Sequence, residues 1–101
     1  MALFDALLVP GAARATKVSP LSTVSTAEQL VGKNFKFWIC ADQDIHIRFG
    51  DTGMSAADVA DQYVPSKTPI MVDLGNDYTA FRCYNPSGST ANIYYIRMSQ
   101  F

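Results

Sequence analysis

The stretch FWICADQDIHIRFGD, residues 37–51, holds two alternating runs around a short polar break. Phe37 and Ile39 alternate with Trp38 and Cys40, while Ile45, Ile47 and Phe49 alternate with Asp44, His46 and Arg48. Alternation with a period of two marks strands, because successive side chains leave a strand on opposite faces. Ala41, Asp42 and Gln43 suit a tight turn, so residues 34–49 read as one β-hairpin.

The polar row Asp44–His46–Arg48 invites a catalytic reading. Residues two apart on a strand are separated by roughly 6.6 Å, so Asp44 and Arg48 stand about 13 Å apart with His46 between them. Such a row favours pairing with neighbours rather than convergence on one reacting atom. A nucleophilic site also needs a serine or cysteine within hydrogen-bond reach of the histidine. Only Ser55, in the loop that follows, is a candidate, and nothing in the sequence aims it there. Asp42, Asp44 and Asp51 lack the spaced acids, central glycine and closing glutamate of a calcium loop. The row reads as the solvated face of a strand, with Arg48 paired to Asp44 or Asp51.

Outward from this centre, strands and turns continue. PIMVDLG (69–75), YTAFRCYN (78–85) and NIYYIRM (92–98) are strand-like, and PSGSTA (86–91) carries the proline and glycine of a hairpin loop. GDTGMSAADVADQ (50–62) is a long irregular connection, and Tyr63–Val64 before Pro65 is a brief strand. KVSPLSTVS (17–25) is a weak strand that Pro20 confines to an edge or bend. STAEQLV (25–31) has the Ser25/Glu28 spacing of a capping box and predicts a short helical turn. The sum is an all-β chain: an antiparallel β-sandwich or small jelly-roll-like barrel of about six to seven strands with an extended N-terminal arm.

Parity supplies a core: Phe35, Phe37 and Ile39; Ile45, Ile47 and Phe49; Ile70, Val72 and Leu74. Phe81 and Cys83 join it, with either Ile93 and Tyr95 or Tyr94 and Ile96. Trp38, Cys40, Tyr78 and Tyr84 are left facing outward, the tyrosines beside Arg82. Cys40 and Cys83 fall on different faces and have no metal-site spacing, so both read as reduced thiols.

Apolar residues make up 49% of the 101-residue chain and charged ones only 17%, which is little charge for a soluble monomer and implies apolar surface covered by another molecule. A net charge of −1 with scattered basic residues offers no stripe for phosphates, so nucleic acid is not an expected partner. MALFDALLVP has no basic leading region, is interrupted by Asp5, and is too short to span a membrane; it reads as neither signal nor anchor, and the chain as a cytosolic product. Residues 1–14 form an apolar arm ahead of a domain at 15–101. Leu3, Leu7 and Leu8 fall near one helical face, and a helix that short must dock on something. No glycine-rich phosphate loop, carboxylate pair or cofactor pattern emerges, so neither enzyme activity nor a cofactor is expected.

The run IHIRFGD, the small-residue loop after it, VPSKTPIMVDLG and the closing NPSGSTANIYYIRM together resemble small β-sandwich virion proteins of tailed bacteriophages, over about residues 34–101. The resemblance implies a capsid decoration, or cement, protein of the virion, assembled in the host cytoplasm. Its partners would be the major capsid protein or other virion subunits, and its own state a homo-oligomer, a trimer by preference. The residues expected at partners are Leu3, Phe4, Leu7, Leu8, Val9, Trp38, Tyr78 and Tyr84. Alternatives are a head–tail connector or fibre-base component, a carbohydrate- or receptor-binding module with Trp38, Tyr78 and Tyr84 as a sugar platform, and, as a third, a small hydrolase at His46.

Overall fold

A computed structural model describes residues 15–98, and these are all-β, with no helix among them. Nine strands form: β1 (Thr16–Val18), β2 (Val24–Ser25), β3 (Gln29–Leu30), β4 (Lys36–Ala41), β5 (Ile45–Gly50), β6 (Gln62–Val64), β7 (Ile70–Asp73), β8 (Ala80–Asn85) and β9 (Ile93–Arg97). They build two antiparallel sheets packed on each other, one ordered β1-β9-β4-β7, the other β2-β8-β5-β6 with β3 also on β8. The count exceeds the expected six to seven because β2 and β3 have only two residues each, too few for a periodicity to register. Both lie along the edge of β8 that β5 leaves open, as two pieces of one interrupted strand.

The two expected hairpins do not form. β4 is flanked by β7 and β9, and β5 by β6 and β8, so residues 42–44 carry the chain from one sheet to the other. Residues 86–92 likewise pass from β8 in one sheet to β9 in the other. A hairpin and a crossing show the same alternation on either side of a short polar turn, and periodicity is blind to the difference. The inward faces of β4 and β5 meet across the core instead of lying side by side.

The pairing has one rule. β5 pairs with β6, β4 with β7, β2 and β3 with β8, and β1 with β9, so the chain is a single antiparallel ribbon whose tip is the β5–β6 connection. Successive pairs alternate between the sheets, and each corner of the ribbon is crossed by two connections at once. Those connections bond to each other. At the first corner Asn85 Nδ2 donates to Pro20 O at 3.1 Å, and Ala91 N to the same oxygen at 3.2 Å. The second is tied by Val31 N and Gly32 N to Thr79 O, both at 2.9 Å, and by Asn34 N to Gly75 O at 2.7 Å. The third is tied by Lys67 N to Ala41 O at 2.6 Å and by Ser66 N to Asp44 Oδ1 at 2.8 Å.

No helical turn forms at 25–31. Thr26 is buried and bonds both ways to Cys83, taking its N–H on Oγ1 at 3.0 Å and donating its own to the Cys83 carbonyl at 2.7 Å. Ser25 and Glu28 serve the 51–61 connection instead: Ser25 Oγ accepts from Ala57 N, and Glu28 Oε1 from Gly53 N and Met54 N. The capping-box spacing is real, but the amides it satisfies belong to another segment.

Between the sheets, Phe37, Ile39, Ile45, Ile47, Phe81, Cys83 and Ile93 are essentially inaccessible, and Phe35, Phe49, Ile70 and Val72 pack partly buried around them. Every residue of the parity-derived core is therefore in or against it, with the Ile93/Tyr95 phase chosen over Tyr94/Ile96. Phe37 stacks on Phe81 at 4.8 Å between ring centres, and Tyr95 sets its edge against both, at 5.9 and 5.0 Å. Phe81→Ala removes the ring that joins the two sheets, and we expect a loss of about 3–5 kcal/mol in urea unfolding, the range for deleting a buried aromatic.

Candidate functional site

β8 and β5 place Arg82 and Arg48 directly opposite each other on the outer face of their sheet. Like charges in that relation repel. The 51–61 connection resolves the conflict by folding over them. Arg48 Nε donates to Asp61 Oδ1 at 2.9 Å, Nη1 to Ser55 Oγ at 2.6 Å, and Nη2 lies 3.7 Å from Asp58 Oδ2. Arg82 Nε donates to Thr26 O at 2.9 Å and Nη1 to Met54 O at 3.1 Å. The hydrogen bond to Asp61, ahead of the charges of Asp61 and Asp58, raises the Arg48 pKa further. Gly53, at φ +83°, supplies the left-handed turn that points its amide at Glu28.

Asp44, His46 and Arg48 are thereby accounted for. Asp44 ties a ribbon corner, and Arg48 holds the loop by Asp61, Asp58 and Ser55 rather than pairing with Asp44 or Asp51. His46 Nδ1 sits 3.0 Å from the Asp61 carbonyl, an acceptor that makes Nδ1 the protonated nitrogen, and its ring lies between Tyr63 and Tyr84 at 5.7 and 6.5 Å. Ser55, the conceivable nucleophile, is held by Arg48 and not by His46. Among the described residues no group of three or more His, Cys, Asp or Glu converges as a metal site.

The opposite sheet is different. On the outer face of β1-β9-β4-β7, Ile96, Trp38 and Met71 form one cross-strand row, and Tyr94 and Cys40, with Lys17 beyond Tyr94, form the next. Met71 and Tyr94 are each 44% exposed. Trp38 Nε1 is buried with no acceptor among the described residues. Past Cys40 the face opens into a depression of about 360 Å³ lined by Asp42, Lys67 and Asn92 as well as Tyr94. There Asn92 donates its backbone N–H and side-chain amide to the Asp42 carboxylate, both at 2.7 Å, and these bonds, the backbone one foremost, hold the Asp42 pKa below the usual carboxylate value.

The expected partner residues do not gather in one place. Trp38 lies on the outer face of one sheet and Tyr84 on that of the other, and exposed Tyr78 leans on Phe49 at 6.1 Å in the connection before β8. Trp38 and Tyr84 cannot share a sugar platform. Leu3, Phe4, Leu7, Leu8 and Val9 lie outside the described residues. Met71, Tyr94 and Ile96 were missed as companions of Trp38: strand parity already turned Met71 outward, but Tyr94 and Ile96 needed the register of β9.

Comparison with protein-family models, curated proteins and solved structures finds no match for the chain. The geometry of the chain itself carries the functional reading.

Arg48→Ala should free the 51–61 connection. Limited proteolysis and hydrogen exchange ought to show faster cleavage there and faster exchange at the Met54, Ala57 and Asp58 amides, with Lys33→Ala as an unaffected control. Cysteine chemistry gives a second check. Both cysteines are free, and burial pushes the Cys83 thiol from its ordinary 9.0 up to about 12. The fold favours the protonated thiol, so this contribution to stability is complete below pH 9 and is lost as pH climbs toward 12. A thiol reagent at pH 8 should leave Cys83 untouched in the folded chain and titrate two thiols in urea.

Proposed function

We propose that this chain is a structural virion protein that decorates and stabilises a phage head shell through protein–protein contacts, with the major capsid protein and copies of itself as partners. Counting β2 and β3 as one interrupted strand gives eight positions, ordered first-eighth-third-sixth in one sheet and second-seventh-fourth-fifth in the other. That is the order of a jelly roll, the double-sheet architecture of many viral capsid and lectin domains. Fold alone does not settle function, so the weight falls on the surface.

The observation that carries the reading is the contrast between the two outer faces. One is covered by the chain's own loop, and the other presents an apolar row on a chain whose charged residues are only 17% of the total. Apolar side chains grouped on a sheet face favour association, and aromatic residues and methionine are enriched at such contacts. The polar groups of the DIHIRFGD stretch are occupied in holding the fold, which supports a binding rather than a catalytic role.

Deleting residues 2–9 tests the proposal. The truncated domain should keep its strand spectrum, because every described strand pairing lies within residues 16–97. It should sediment as a monomer where the full chain associates, and it should fail to enter particles. Full assembly of the truncated chain would overturn the reading. Copy number in purified particles then separates the two virion roles, hundreds of copies for decoration against about a dozen for a connector.

A further inference from the structure

We infer that the depression beside Asp42 and Asn92 is a binding site for one pyranose ring of a glycoside. It lies at the end of the β1-β9-β4-β7 sheet, where the connection after β4 meets the connection before β9. Those two segments are locked together there. Asn92 donates its N–H to Asp42 Oδ1 and its side-chain amide to Oδ2, both at 2.7 Å, and Asp42 N returns a bond to Asn92 O at 3.1 Å. A carboxylate has about four lone-pair positions, and Asn92 occupies only two of them, so each Asp42 oxygen keeps capacity for a hydroxyl. The bonds from Asn92 also keep Asp42 ionised, and a charged acceptor strengthens any bond it takes. Asn92 Oδ1 receives no donor among the described residues and is a further acceptor at the same wall.

Lys67 forms another side of the depression. Its backbone N–H is held by Ala41 O at 2.6 Å, and its φ of 57° is left-handed, a conformation that glycine takes freely and a residue with a β-carbon takes at a cost. Its side chain has no partner among the described residues, so the described contacts give no reason for an ammonium at this turn. Tyr94 completes the site. It stands across from Cys40 and is 44% exposed; Lys17 approaches its ring from the β1 side at 5.8 Å, and the depression lies on the β4 side.

The combination selects a chemical class. Asp42 and Lys67 carry opposite charges, which disfavours a phosphate, a carboxylate or an amine as ligand. A wholly apolar ligand would bury both without partners. A neutral sugar ring satisfies every group: its C–H face lies on Tyr94, and its hydroxyls donate to Asp42 and Asn92 Oδ1 and accept from Lys67. The volume, about 360 Å³, is near the lower end of the roughly 300–1,000 Å³ of small-ligand sites and suits one ring. None of Trp38, Tyr78 and Tyr84 lines it, so the site stands apart from the assembly proposal.

Amide NMR spectra of the full chain, titrated with the methyl glycosides of glucose, galactose, mannose and N-acetylglucosamine, test the site. At least one glycoside should give saturable shifts at the Asp42, Lys67, Asn92 and Tyr94 amides. Tyr94→Ala and Lys67→Gly should each weaken that binding about tenfold, the factor that losing one hydrogen bond from a charged group gives. Lys67→Gly should also keep the urea midpoint at or above that of the parent, because glycine relieves the left-handed turn, so its lost binding is not lost folding. Tyr63→Ala, on the other sheet, should bind as the parent does. Absence of saturable shifts with all of the glycosides overturns the inference, as do shifts gathered around Tyr63 and Tyr84, or unchanged affinity in both site variants. Adenosine, a neutral ring of another class, should not bind; if it binds at these residues and the glycosides do not, the inference falls as well.

Discussion

Everything in this fold depends on the paired crossings at the corners of its ribbon. A strand near the start of the chain must find a partner near its end, and the two must turn together from one sheet to the other. The buried side chain of Asn85 shows how tightly one such corner is specified. Its Nδ2 donates to Pro20 O and Ser89 O, while its Oδ1 accepts from the amide and hydroxyl of Ser87. An amide this deep is tolerated because it is satisfied, and leaving such a group unpaired costs about 1–3 kcal/mol. The arrangement also makes native contacts long-range, since only β5 and β6 are both consecutive and paired, and such topologies fold slowly.

The tip of the ribbon produces the asymmetry between the two outer faces. The β5–β6 connection is too long for a hairpin turn and folds back over the outer face of its own sheet. Two opposed arginines bind it there, Arg48 through carboxylates and a hydroxyl, and Arg82 through the Met54 carbonyl while its Nε holds Thr26 O. No equivalent segment among the described residues covers the outer face of the partner sheet. A ribbon has only one tip, so among the described residues this cover lies on one outer face and not on the other.

Much of this was legible in the sequence, and what was not has a common cause. Alternation placed Phe37, Ile39, Ile45, Ile47, Phe81 and Cys83 correctly, because parity depends only on local backbone geometry. Phe35, Phe49, Ile70 and Val72 are only partly buried, since depth depends on where a strand ends and whether it lies at an edge. The two hairpins were misread because a turn between alternating runs has the same signature when the chain reverses within a sheet and when it changes sheet. Ser25 and Glu28 were misread similarly: their spacing fits a helix start, yet the amides they satisfy sit some thirty residues away in a loop. The face around Trp38 was half visible, since Met71 followed from parity while Tyr94 and Ile96 awaited a register that only the fold sets.

The sheet edges bear on the proposed association as much as the faces do. β1 and β6 have three residues each and β7 four, while the β2–β3 line is interrupted at Thr26. Short, broken edges are poor templates for adding a strand from another chain. Pro69 precedes β7, and the Lys36–Asp73 pair marks its far end, which limits that edge further. Lateral growth of the sheets is thus disfavoured by the same short strands that let the ribbon turn its corners. On the proposed reading, a partner would gain most from the broad side of the β1-β9-β4-β7 sheet, through contact area rather than backbone pairing.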